Sequence, residues 1–221
     1  MLNTKEKEIM EVIDVVRECI KRKLSMKKKL LCYSKDEFEK VMNWSRWSDK
    51  TLPDDVAIIS IGEPDDHSSK GHLFDNNHEN VLNIDFYDID LMDFYTIIAH
   101  QKDGKHISVH SSYERSYVES RDNDTNTIIV YECFNHKQAA QIIEFIEKNI
   151  GKDFYIHCHA GLSRSQAVVM FMLTHFNKYY DYTCLNTHNL PKIPNQWVLD
   201  CLNNVYIENK KEVLFNPHGL L

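Results

Sequence analysis

Glycine and proline are scarce in this 221-residue chain, at six and five. Long structureless linkers are therefore not expected. One domain with a full hydrophobic core, or one domain carrying an insertion, accounts for the length. The six cysteines form no C-x-x-C pair. Scattered in this way they do not supply the closely spaced ligands of a structural zinc site. With no secretion signal beside them, they point to a reducing, cytoplasmic setting. The apolar run at 167–173 is far too short to cross a bilayer, and the start Met-Leu-Asn-Thr-Lys-Glu-Lys-Glu lacks the apolar stretch of a signal peptide. A basic surplus is missing too, since the formal charge is −7. Such a surface repels nucleic-acid phosphates and anionic lipid, so neither a nucleic acid nor a membrane is expected as partner. The one basic cluster, Lys21-Arg22-Lys23 with Lys27-Lys28-Lys29, reads as a solvated helix end and loop.

What is present alternates between helix and strand. Ile9, Val12, Ile13, Val16, Ile20 and Leu24 recur at helical spacing over 4–24. Leu30-Leu31-Cys32-Tyr33 reads as a strand, and Ser34 with Glu37 opens a helix to about 47 through a capping box. Pro53-Asp54-Asp55 is a turn, and Val56-Ala57-Ile58-Ile59-Ser60-Ile61 is a strand apolar enough to be buried. Residues 63–80 are polar loop. Within them His67, His72 and His78 with Asp65, Asp66 and Asp75 read as solvated residues, because no ligand pair has a fixed helical spacing. A strand follows at 81–86 and a short helix at 91–100. Residues 107–110 and 127–131 suggest two strands around a charged loop.

Asn135 and Gln138 form a second capping-box pattern, opening a helix that Gly151 closes at C′. Phe154-Tyr155-Ile156 is a strand, 158–164 a tight loop, and 165–176 a buried apolar helix. Pro194 suits the first turn of a last helix to about 208. Trp44, Trp47 and Trp197 are expected to pack between helix and sheet. The alternation favours an α/β fold, with a mainly parallel sheet of four or five strands flanked by helices. The domain reading is a single domain over 1–221, with an N-terminal helix appended at 1–28 and an insertion at 91–133.

The segment that carries chemistry is His157-Cys158-His159-Ala160-Gly161-Leu162-Ser163-Arg164-Ser165. Of the six cysteines, only Cys158 has an arginine six residues on. A phosphate dianion needs donors converging from one side. A short loop between strand and helix can turn backbone N–H groups inward as a nest, and the helix beyond it adds unpaired N–H groups and a positive dipole end. The phosphate-binding set is then His159, Ala160, Gly161, Leu162, Ser163 and Arg164. Gly161 allows backbone angles that a Cβ resists, and Arg164 grips two oxygens with its planar fork. A thiol at the mouth of such a nest is favoured as thiolate, the nucleophilic form. The Ser165 hydroxyl can donate to that sulfur and ease its departure. His157 is expected to order the loop by hydrogen bonds rather than transfer protons.

This segment resembles the signature loop of the protein tyrosine phosphatase superfamily, in its compact dual-specificity-like branch. The order of Ala57-Ile58-Ile59-Ser60-Ile61-Gly62, Val81-Leu82-Asn83-Ile84-Asp85-Phe86-Tyr87-Asp88-Ile89, the helix from Asn135 and the loop is similar to that of bacterial and phage phosphatase-like proteins. The resemblance covers roughly two thirds of the chain. It implies a cysteine phosphatase fold and hydrolysis of phosphate monoesters through a phosphocysteine, with no metal and no organic cofactor. A general acid must protonate the leaving oxygen. In the related proteins this is an aspartate on a loop after an upstream strand. Asp88 is the first candidate, Asp85 and Asp90 are its neighbours, and Asp122 and Asp124 form a second group. The chain departs from the pattern in having no Trp-Pro-Asp tripeptide and in inserting about forty residues between Asp88 and Asn135.

The expected catalytic set is thus Cys158, Arg164, Asp88 and Ser165, and the expected substrate is a phosphorylated protein or a small phosphomonoester. Two alternatives stand beside it: a phosphate-binding module that has lost turnover, and a phosphoinositide or RNA 5′-phosphatase using the same loop.

Overall fold

The computed structural model describes residues 13, 27–64, 72–74, 78–90, 105–112, 114–122, 125–184 and 193–215. The expected helix over 91–100 lies outside them, as does the helix over 4–24 apart from Ile13. Five parallel strands form the main sheet: β1 (Lys28–Ser34), β2 (Val56–Gly62), β3 (Val81–Asp85), β7 (Asp153–Cys158) and β8 (Tyr180–Cys184), in the order β3-β2-β7-β1-β8. Helices α1 (Lys35–Ser45), α2 (His136–Lys148), α3 (Arg164–His175) and α4 (Gln196–Phe215) flank it. The chain is therefore α/β, with a five-stranded parallel sheet. Because all five strands run the same way, their carboxyl ends share one edge, where an open α/β sheet offers its crevice.

The two-residue period of the strands sorts side chains between two cores. Cys32, Ile59, Phe154, Ile156 and Cys158 join α2, α3 and α4 on one face. Leu31, Tyr33, Ile58 and Tyr155 join Phe38 of α1 on the other. Both capping boxes form as the sequence predicts, Ser34 with Glu37 and Asn135 with Gln138. Trp47 packs edge-on against Tyr155, and Trp197 donates its indole N–H to the Phe134 carbonyl. Trp44 is a correction: it stands 84% exposed on the outer side of α1.

Three further differences concern the elements. Residues 105–133 hold a three-stranded antiparallel sheet rather than two strands: β4 (Lys105–Ser111), β5 (Ser116–Asp122) and β6 (Ile128–Cys133). β8 is an additional edge strand beside β1. At α2 the C-cap is Asn149, so Gly151, at φ +92°, lies one residue beyond C′. The small sheet has one end in the core, at Ser116, Val118 and Cys133, while Ile128, Ile129 and Val130 are exposed. It touches the segment after β3, where Tyr87 N–H donates to the Glu132 carbonyl at 2.9 Å.

Candidate phosphate-binding and nucleophile site

β7 is the middle strand of the sheet, and it ends on Cys158. The chain then turns through 159–163 into α3. Three loop carbonyls are taken by donors outside the loop. His159 O accepts from Lys35 N–H at 3.1 Å, Gly161 O from Gln166 Nε2 at 3.0 Å, and Ser163 O from Ala167 N–H at 3.0 Å and Asn195 N–H at 3.3 Å. In a planar trans peptide the C=O of one residue and the N–H of the next point opposite ways, and no described peptide bond is cis. The N–H groups of Ala160, Leu162 and Arg164 therefore turn to the inside of the loop. The Gly161 N–H points at the Cys158 sulfur, at 3.2 Å. This is a concave array of donors around a thiol.

Gly161 makes the turn possible. Its φ is +70°, and an added Cβ would lie 2.6 Å from the backbone of Tyr33 and Ser34. Ser163 occupies the N-cap position of α3 without capping it. Its hydroxyl donates instead to Asp88 Oδ1 at 2.7 Å. The amides of the first turn are thus not consumed by a side-chain cap and keep the anion-attracting character of a helix N-terminus.

Arg164 is held from behind. Nη1 donates to the carbonyls of Gly62 (2.9 Å) and Phe86 (2.8 Å), and Nη2 donates to Glu63 Oε1 at 2.9 Å. The side chain is 2% exposed. Three of its five N–H donors are accounted for in this way. Nε–H has no hydrogen-bond partner among the described residues, and it lies 3.7 Å from Asp88 Oδ2. A guanidinium so anchored keeps its planar fork in one orientation with donors to spare for an oxyanion.

The aspartates separate by position. Asp88, 35% exposed, lies between the loop and α4, accepting from Ser163 Oγ and from Asn195 Nδ2 at 3.0 Å. Asp85 pairs with His72, Oδ1 to Nε2 at 2.8 Å. Asp90 accepts from the first backbone N–H groups of α4, those of Gln196 and Trp197. Asp122 pairs with Lys105 at the far end of β5. It is six residues from Ser116 at the core end, or about 20 Å at the usual strand rise. Asp124 lies outside the described residues. Of the candidates described, Asp88 is the one set against the loop.

Ser165 is fully buried at the second position of α3, with Oγ 3.2 Å from Cys158 Sγ. His157 requires a correction. Neither ring nitrogen has a hydrogen-bond partner among the described residues, so the imidazole does not order the loop in that way. It stacks on Phe38 with ring centroids 4.6 Å apart. Burial, then the nearby charges of His72 and Lys35, push its pKa down to about 3. The period of the strand explains this placement, because His157 faces the α1 side and Cys158 the α3 side. The ring lines a shallow cleft that His159, Lys35, His72, Ser60 and Arg164 also border.

Two residues enter the site that sequence reasoning passes over. Glu63 holds Arg164, and its signal is only that it follows a strand end. Asn195 touches the loop and Asp88 together. Its Nδ2 donates to Asp88, its backbone N–H donates to Ser163 O, and its Oδ1 accepts from Val198 N–H as the N-cap of α4. Pro194 therefore precedes the cap rather than opening the first turn. No family model and no curated protein matches this sequence.

Proposed function

We infer that the chain is a cysteine-dependent phosphatase of the protein tyrosine phosphatase kind, hydrolysing phosphate monoesters in two steps. Cys158, as thiolate, attacks phosphorus. The inward N–H groups of 159–164 and the Arg164 Nε–H hold the equatorial oxygens, where negative charge grows in the transition state. Asp88 gives its proton to the leaving oxygen. The same carboxylate then takes a proton from water as that water displaces the sulfur, and the Ser165 hydroxyl stabilises the departing thiolate. Phosphorylated protein, with phosphotyrosine first, is the substrate class that the resemblance favours. The single observation that carries the reading is the loop itself. Three carbonyls held by donors outside the loop, one amide on the sulfur and an anchored guanidinium support an oxyanion seat beside the thiol.

Hydrolysis of a generic aryl phosphate by wild type, Cys158→Ser and Asp88→Ala tests it. Cys158→Ser is expected to abolish turnover. Asp88→Ala is expected to lower it by about 10²–10⁴-fold, the usual worth of a general acid. Equal residual activity in wild type and Cys158→Ser would end the enzyme reading. An inactive wild type that still binds vanadate would assign a phosphate-binding module instead.

A further inference from the structure

Beneath the loop lies a second thiol that the mechanism above does not use. Cys32 is in β1, 1% exposed, and its strand is hydrogen-bonded to β7. The register sets Ser34 opposite Cys158 and Cys32 opposite Ile156, so the two cysteines lie two residues apart on the same face. Their sulfurs meet the same atom. Ser165 Oγ is 3.2 Å from Cys32 Sγ and 3.2 Å from Cys158 Sγ.

The directions of these bonds follow from what each group can give. Gln166 Nε2 has only protons to offer. It donates one to Cys32 Sγ at 2.9 Å and the other to Gly161 O at 3.0 Å. Gly161 O can only accept, which sets the Nε2 end of the amide toward it and Cys32, and Tyr182, on β8, donates its phenolic proton to the other end, Gln166 Oε1, at 3.2 Å. Cys32 Sγ, accepting from Gln166, has its own S–H to place. Ser165 Oγ is the nearer acceptor at 3.2 Å, while Gly161 O is at 3.9 Å and already holds Gln166. Ser165 Oγ then accepts from Cys32 and is left with its single proton for Cys158. A thiolate can only accept. The bonds therefore form one unbroken series in which every donor points toward Cys158: Tyr182, Gln166, Cys32, Ser165, Cys158. Bonds in series polarise one another, more so where water is excluded. Ser165, Gln166 and Cys32 are all at least nine-tenths buried.

We propose that Cys32 is a positioning residue, whose S–H, set by Gln166 and Tyr182, orients the Ser165 hydroxyl toward the Cys158 thiolate. The proposal rests on the reading of Cys158 as the nucleophile. The bland alternative is a small buried apolar residue that fills space. The two differ in what a hydroxyl does in its place. Serine keeps a donor and an acceptor, whereas alanine keeps neither.

The test measures iodoacetamide alkylation of Cys158 at mildly acid pH, located by peptide mass spectrometry, in the full chain. Loss of the one neutral hydrogen bond that orients the Ser165 hydroxyl predicts a fall of about three- to tenfold for Cys32→Ala. Cys32→Ser is expected to stay within about twofold of wild type, and the acid limb of kcat/KM to move to higher pH in Cys32→Ala alone. Should Cys32→Ala fail to fold by circular dichroism, Gln166→Leu and Tyr182→Phe take its place, with losses in that order of size. Alkylation of Cys32→Ala at the wild-type rate would overturn the proposal, as would Cys32→Ser falling as far as Cys32→Ala. The alkylation readout needs no turnover. A wild type inert toward aryl phosphates but showing this pattern would sink the phosphatase reading and leave the relay standing.

Discussion

At the scale of single residues, the loop depends on one backbone angle. Gly161 sits where a side chain is disfavoured by its φ, and where a Cβ would strike backbone rather than a yielding side chain. Gly161→Ala is expected to shift the loop by a fraction of an ångström or more. That turns the Gly161 N–H from the sulfur and its carbonyl from Gln166. Misplacement on this scale costs on the order of 10²-fold in catalysis. Strain in the left-handed region adds about 1–2 kcal/mol of lost stability. Aryl phosphate kinetics and thermal unfolding of the one variant measure both, and unchanged values in both would contradict the loop as drawn. The loop glycine was legible in the sequence because a nest of this length needs such a residue somewhere. The Arg164–Glu63 pair was not, since the two are 101 positions apart and only the sheet order joins them.

At the scale of elements, two helix starts make different predictions. Asn135 caps α2, and its side chain and N–H bond only Gln138 among the described residues, so Asn135→Ala should cost about 1 kcal/mol of stability and leave kcat/KM unchanged. Asn195 caps α4 and also holds Asp88 and the Ser163 carbonyl. Asn195→Ala should cost a similar stability and, in addition, lower kcat/KM, because Asp88 loses a donor that sets its place against the loop. Equal kinetic effects from the two variants would mean that α4 does not organise Asp88. The sequence showed both Ser34 and Asn135 as caps because each is followed by Glu or Gln at the third helical position. Asn195 has Val198 there and lacked the signal. β5 was missed for a related reason: Ser-Tyr-Val-Glu-Ser-Arg-Asp alternates polar residues on a largely solvated sheet, so burial leaves little pattern to read. β2 and β7 were legible because central parallel strands are apolar on both faces.

At the scale of the whole molecule, the sheet divides the two neighbours at the end of β7 between opposite cores, and this has a consequence for acid stability. His157 is buried neutral, with its pKa lowered from 6.5 to about 3. Above about pH 6.5 neither folded nor unfolded chain protonates it, and its contribution to stability is fully present. As the pH falls from about 6.5 toward 3 the unfolded chain takes up a proton that the folded one refuses. Stability then drops by up to about 1.4 kcal/mol per pH unit. Below about pH 3 the folded form protonates as well and this loss stops growing. His157→Gln should flatten the unfolding free energy against pH within that window. An identical slope in wild type and variant would show that His157 is not the group responsible. The general architecture was readable from strand–helix alternation, but which face each end residue meets depends on strand boundaries that a sequence leaves uncertain by a residue or two.

The central claim is that Cys158 carries the phosphoryl group between the two steps. The direct measurement is acid-quenched turnover of an aryl phosphate followed by peptide mass spectrometry of the loop. The account predicts a phosphoryl group on Cys158 in the wild type, accumulating when departure of the sulfur is slowed by Ser165→Ala, and absent in Cys158→Ser. Turnover that leaves no phosphoryl group on Cys158 in wild type or Ser165→Ala, and that persists in Cys158→Ser, would contradict it.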